Sequence, residues 1–258
     1  MMSDFFIRWI MKRYDLIDTI RGLAVISMIG FHAFWIASYF GFGVSSATLF
    51  DTAFTVWERS ICITFIAVAG FSFSLGRRHM RSGLILSALG AAITLLTCLF
   101  VPDIRIVFGV LTFLGFSTLV MIPLDKLIGK NVSVSRTAAC VGFVISILLF
   151  LFSYNINTGS LAFGIKLPQQ LYSGYVSTFF GFMMPGFVSA DYFSLIPWFF
   201  MYLCGYFLHK IVIGKEGGRV LSYRIPGVDL VGRHSLVIYL VHPIILYIVF
   251  YLVTLFAI

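Results

Sequence analysis

Charge is scarce in this chain. Only 11% of its 258 residues are Asp, Glu, Lys or Arg, while 60% are hydrophobic. A soluble domain carries about a quarter charged residues. That deficit, with a mean hydropathy of +1.02, excludes an ordinary soluble core. Period-two alternation in short segments is also missing, which excludes a transmembrane barrel. The four cysteines (Cys62, Cys98, Cys140 and Cys204) each lie inside an apolar run and form no Cys-x-x-Cys pair. A disulfide framework and a cysteine metal site are therefore not expected, and the thiols read as small packing residues. Basic residues outnumber acidic ones, giving a net charge of +8. The charges fall in the short stretches between apolar runs, so nucleic-acid binding is not expected. No internal repeat or low-complexity tract stands out. Phe5 to Met11 is apolar but broken by Arg8 and followed by no small-residue cleavage site, so no cleavable leader is expected.

What is present is a series of continuous apolar runs, each about 20 residues, the length that spans a bilayer core. Helices satisfy their backbone internally in lipid. The expectation is an all-α integral membrane protein, a single domain over 1–258 built as a bundle of about seven helices near 20–40, 57–76, 82–101, 104–123, 136–154, 192–211 and 233–256. Orientation follows from Lys and Arg in short loops. With the N-terminus inside, fifteen basic residues are cytosolic and only Arg59, Arg105 and Lys166 are outside. A cytoplasmic N-terminus and a multi-pass location in the cytoplasmic (inner) membrane are expected. Residues 1–19 read as an interfacial N-terminal segment, with "FFIRWIMKRY" lying in the inner surface. Residues 155–191 form a long outer loop, too aromatic to be disordered and expected to fold back over the bundle mouth.

Ionisable side chains inside a span are costly and are functional candidates by default. His32 lies eleven residues past Arg21, about 16 Å along a helix rising 1.5 Å per residue. His242 lies nine residues past Arg233, about 14 Å by the same rise. Two histidines on the first and last helices thus reach similar depth from one side. Pro243 removes a backbone donor and should kink that helix or free a carbonyl. Each histidine could instead be hydrogen-bonded core. A pair at equal depth can also bracket a haem iron, but no other feature supports that and no metal is expected. Asp18 and Arg21 share a helix face and should pair. Asp191, at the outer mouth of the sixth helix, could cap that helix or hold a polar acceptor.

Four stretches carry a resemblance. "LIDTIRGLAVISMIGFH" resembles the first transmembrane helix of the heparan-α-glucosaminide N-acetyltransferase catalytic family, with ten residues between Arg21 and His32. "IAVAGFSFSLGRR" is similar to the end of that family's second helix. "MMPGFVSADYFSLIPWF" is similar to its proline- and aspartate-bearing entry to the penultimate helix. "VGRHSLVIYLVHPI" resembles its closing motif through Gly232, Arg233, Ser235, Tyr239 and His242. One departure stands out: in "FGVLTFLG" this chain has Thr112 where related bacterial proteins often carry a histidine. That puts in doubt any mechanism needing a second base from the fourth helix.

The resemblance implies a membrane acetyltransferase that takes its acyl group from cytosolic acetyl-CoA, a co-substrate, and gives it to an amino or hydroxyl group of a glycan or glycolipid on the outer side. A buried neutral histidine is a suitable base, and a covalent acetyl-histidine is an alternative route. His32 is the expected base, with His242 and Asp191 as further site residues. CoA phosphates call for cations on the cytosolic face, and Arg21, Arg77, Arg78 and Arg233 are suitably placed. A small transporter using the same histidines as a proton or substrate site is the rival reading, although the inverted repeats common in transporters are not evident. The bilayer, an acyl-CoA and a glycan acceptor are the expected partners, and the oligomeric state is left open.

Overall fold

The computed structural model describes residues 14–43, 51–131, 135–212 and 221–256. Its long helices are α1 (Asp15–Tyr39), α2 (Thr52–Phe73), α3 (His79–Phe100), α4 (Val110–Asn131), α5 (Arg136–Ser153), α7 (Leu195–Val212) and α9 (Ser235–Phe256). Two short ones, α6 (Tyr175–Phe180) and α8 (Val228–Arg233), stand between them. Seven helices are long and apolar enough to cross a membrane, so the chain is an all-α, multi-pass membrane protein. The interfacial segment expected before α1 lies outside the described residues except at its end, where helix begins at Asp15. Asp15 and Asp18 occupy the first turn of α1, where carboxylates complement the positive end of the helix dipole.

The first two helices begin earlier than expected, at Asp15 and Thr52, and the fourth departs furthest, for a local reason. The fourth span starts at Val110 instead of near residue 104. Pro102–Ile104 forms a 3-10 turn, and the following stretch bonds to a distant segment: Ala190 N–H donates to Arg105 C=O and Phe193 N–H to Phe108 C=O. The same helix runs through Pro123 to Asn131. The last span, α9, matches the expected 233–256 closely, and the short helix α8 precedes it, separated at His234.

The chain folds as two compact units, residues 1–68 with 213–258 and residues 69–212. In the first, α1 packs against α8 and α9. The crossing with α8 is a backbone contact: a Cβ on Gly22 would overlap the carbonyl of Val228, and one on Gly232 would overlap the carbonyl of Asp18. Small residues let membrane helices approach this closely. The loop before α8 is tied to the same end of α1, with Leu16 N–H donating to Leu221 C=O at 3.1 Å and Ile225 N–H to Thr19 Oγ1 at 3.3 Å. Beyond the crossing, Val25, Met28 and Ile61 form a buried core with Trp57, Phe65, Val231, Ile238 and Tyr239 packed on it. Trp57 Nε1–H donates to Ser27 Oγ at 2.7 Å and so fastens α2 to α1.

In the second unit α3 packs on α4 and α5 on α7. Thr112 lies at the α3–α4 crossing, so close to Gly90 that a Cβ there would overlap it. At one end of α7 the Tyr206 hydroxyl donates to Asp125, and Lys210 sits 4.6 Å over the Tyr206 ring and 4.0 Å from the same carboxylate. Residues 154–194 do not span; they fold as short turns, one small hairpin and α6.

The glycine contact at the α1–α8 crossing yields a direct expectation. Gly232→Ala forces the helices apart and should cost about 1–3 kcal/mol, the usual penalty of overpacking. A lowered thermal midpoint of the purified protein in detergent checks this, with Gly164→Ala, whose Cβ would meet open space, as a comparison that adds only backbone strain.

Candidate functional site

The α1–α8 crossing sets the register of two polar layers in the first unit. The lower layer is ionic. Arg233, at the end of α8, donates from Nη2 to Asp15 at 3.1 Å and to Asp229 at 2.8 Å, and its Nε lies 3.7 Å from Asp18 Oδ2. Arg21 Nη1 donates to Asp18 Oδ1 at 3.1 Å. Two arginines thus meet three carboxylates, a net charge of −1. The expected Asp18–Arg21 pair is part of a larger network. Asp15 and Asp229 were missed from sequence. Asp229 is four residues before Arg233 on one face of α8, a spacing that could have marked it. Pairing in this network already compensates much of the charge of Arg21 and Arg233.

The upper layer is the histidine pair. One and a half nanometres or so along α1 and α9 from the ionic layer, the imidazoles of His32 and His242 come together with ring centroids 4.9 Å apart and planes inclined by 54°. His242 is buried, 5% exposed. Its Nδ1 lies 3.0 Å from Ile238 C=O and 2.9 Å from Tyr239 C=O. Carbonyl oxygens only accept, so Nδ1 carries the proton and Nε2 keeps its lone pair. The reason for this geometry is Pro243. With no N–H, it leaves the carbonyl of Tyr239, four residues back, without its helical donor, and the histidine ring supplies one. Nε2 is itself buried and has no hydrogen-bond partner among the described residues. Aromatic rings adjoin the pair: Phe31 is edge-on to His32 at 5.7 Å and also packs on Phe54 and Trp57.

The other expected site residues belong to the second unit. Arg77 and Arg78 are exposed just before α3. Asp191 does not cap the sixth span, which starts four residues later. Its Oδ2 accepts from Val110 N–H at 3.0 Å and so caps α4. Ser189 reinforces this tie, accepting from Val107 N–H at 3.0 Å, while Arg105 Nε donates to Val188 C=O at 3.3 Å. Thr112, packed against Gly90, supplies no base. Tyr192 hydrogen-bonds the Thr178 carbonyl, and burial pushes its phenol up to about 12. Among the described residues, no three His, Cys, Asp or Glu side chains gather as metal ligands.

Two substitutions probe these contacts. Arg233→Met leaves three carboxylates with one arginine and should destabilise the protein by about 2 kcal/mol, the scale of charged hydrogen bonds in partly buried sites. Pairing it with Asp229→Asn should recover part of that loss, read by thermal unfolding in detergent. Asp191→Ala should cost about 1 kcal/mol as a lost helix cap, and Asp191→Asn, which still accepts from an N–H, should cost less in the same assay.

The family model described as heparan-alpha-glucosaminide N-acetyltransferase, catalytic, matches residues 13–244, a span that contains both histidines and the whole ionic network. No curated protein and no solved structure matches. A match over nearly the full length, with seven membrane-spanning helices, means that the chain belongs to the heparan-alpha-glucosaminide N-acetyltransferase catalytic family of membrane acetyltransferases.

Proposed function

We propose that the protein moves an acetyl group from cytosolic acetyl-CoA to an amino or hydroxyl group of a glycan or glycolipid on the opposite side of the membrane, with His32 as the base. The observation that carries this reading is the His32–His242 pair, 4.9 Å between centroids. An ionisable pair inside membrane spans is costly, and family membership supplies a reaction that uses it.

The chemistry follows from the two rings. The acceptor N–H or O–H gives its proton to His32 as its heteroatom attacks the thioester carbonyl. The C–S bond then breaks, and the CoA sulfur leaves as a thiolate that takes a proton back from the imidazolium. His242, protonated at Nδ1, offers its Nε2 lone pair to stabilise the imidazolium while it exists. Direct transfer and transient acetylation of His32 both use this arrangement. The cations with most charge to spare for CoA phosphates are Arg77 and Arg78, since Arg21 and Arg233 already face carboxylates. Asp191 acts as a positioning residue that fixes the start of α4.

The test uses full-length protein in lipid nanodiscs, with acetyl-CoA binding followed by calorimetry and CoA release followed with candidate amino sugars as acceptors. His32→Ala should still bind acetyl-CoA but lose about 100- to 10,000-fold in CoA release, the range for a general base. Wild-type CoA release from His32→Ala would end the assignment of that residue. Absence of acetyl-CoA binding by wild type at millimolar concentration would remove the enzyme reading in favour of transport.

Pro243→Ala tests the orienting device separately. It restores an N–H to compete for the Tyr239 carbonyl, so kcat should fall while the KM for acetyl-CoA and the thermal midpoint hold or rise. An unchanged kcat would show that the ring orientation does not matter.

A further inference from the structure

Residues 159–167 form a small hairpin with an unusual tip. Leu161 N–H donates to Ile165 C=O at 2.8 Å and Leu167 N–H to Gly159 C=O at 2.9 Å, with Ser160 bridged to Lys166. At the tip Phe163 adopts φ +61°, left-handed backbone that a bulky residue rarely takes. Its side chain is 96% exposed, and Ile165 beside it is half exposed. The base is firmly held. Ile156 is buried, its carbonyl accepts from the Tyr172 hydroxyl at 2.7 Å, and Asn157 accepts from Ser194 at 3.2 Å. The ring is therefore presented by a built turn, not by a loose end.

Where the tip goes decides what it meets. The turn Ala162–Gly164 returns to pack against α5. The last turns of that span expose Leu148, Leu151 and Phe152, as a lipid-facing helix does. That contact, with a span that ends at Ser153 and leads into this segment, puts Phe163 beside a membrane-spanning helix. The segment from 154 to 190 contains Lys166 and no acidic residue, so nothing in it repels lipid phosphate. An aromatic tip beside a lysine at the end of a span is the composition of an interfacial anchor.

We propose that the 159–167 hairpin is a membrane anchor, with Phe163 inserted at the headgroup–acyl boundary of the leaflet on the side of residues 154–194, and that the partner of this surface is the phospholipid bilayer. The anchor clips the long segment between α5 and α7 to the lipid surface. It is independent of the acyl-transfer reading.

The test places an environment-sensitive fluorophore at Phe163→Cys, in the full chain with the four native cysteines replaced by alanine, reconstituted in phosphatidylcholine nanodiscs. Gln170→Cys, in the same segment and exposed, is the water-side comparison. Position 163 should emit at shorter wavelength than 170. A quencher attached to the lipid near its headgroup should quench it several-fold more strongly than aqueous iodide does, with the reverse order at 170. Equal quenching of both positions by iodide overturns the proposal, because the tip is then in water. Protection of 163 from both quenchers also overturns it, since a protein surface such as a second copy then covers the ring.

If the cysteine-free chain does not fold, hydrogen exchange on the native-cysteine chain decides. In nanodiscs, backbone exchange over 159–167 should be several-fold faster in Phe163→Asp than in wild type, with Phe163→Leu close to wild type. Equal exchange in wild type and Phe163→Asp overturns the anchor.

Discussion

The first unit depends on one close approach of two backbones. Where α1 and α8 cross, Gly22 and Gly232 leave room for the carbonyls of Val228 and Asp18. In lipid there is little hydrophobic gain in bringing helices together, so close van der Waals contact and polar pairing must do it. This crossing provides both. The glycines permit the contact, and the ionic network around Arg233 locks it. Every residue beyond that point has its height set by helical rise. Fixing the crossing therefore fixes where His32 and His242 stand, and they stand side by side.

Much of this was legible in the sequence, for reasons of arithmetic. Apolar runs of span length announce helices, because no other structure satisfies a backbone in lipid. The matching depths of His32 and His242 follow from counting residues from two arginines. Pro243 could be read as freeing a carbonyl, and it does so at Tyr239. What could not be read were contacts set by tertiary geometry. Asp15 and Arg233 are 218 positions apart, and no local pattern connects them. Asp191 looked like a cap for the helix that follows it, but it caps α4, 81 residues earlier in the chain. The start of α4 was misplaced for the same reason, since the apolar residues Ile106, Val107 and Phe108 fit a helix as well as they fit the bent strap they form.

The two polar layers have different characters, and the difference suits the chemistry proposed. The lower one is a network of ion pairs in which two arginines face three carboxylates and hold structure. The upper one holds a buried imidazole nitrogen with no hydrogen-bond partner among the described residues. Native proteins seldom leave such atoms without a purpose. A site for a reacting group needs an unfilled valence of this sort, held steady by the ion-paired layer beneath it. The backbone carbonyl that orients His242 serves the same end at little cost, since Pro243 had already removed its helical partner.

The first unit is assembled from the two ends of the chain, residues up to 68 and residues from 213 onward. A ribosome delivers His32 210 residues before His242. Until α8 and α9 follow, the first helix carries His32 without its ring partner and its aspartates without Arg233. The histidine pair therefore exists only once α9 has entered the bilayer.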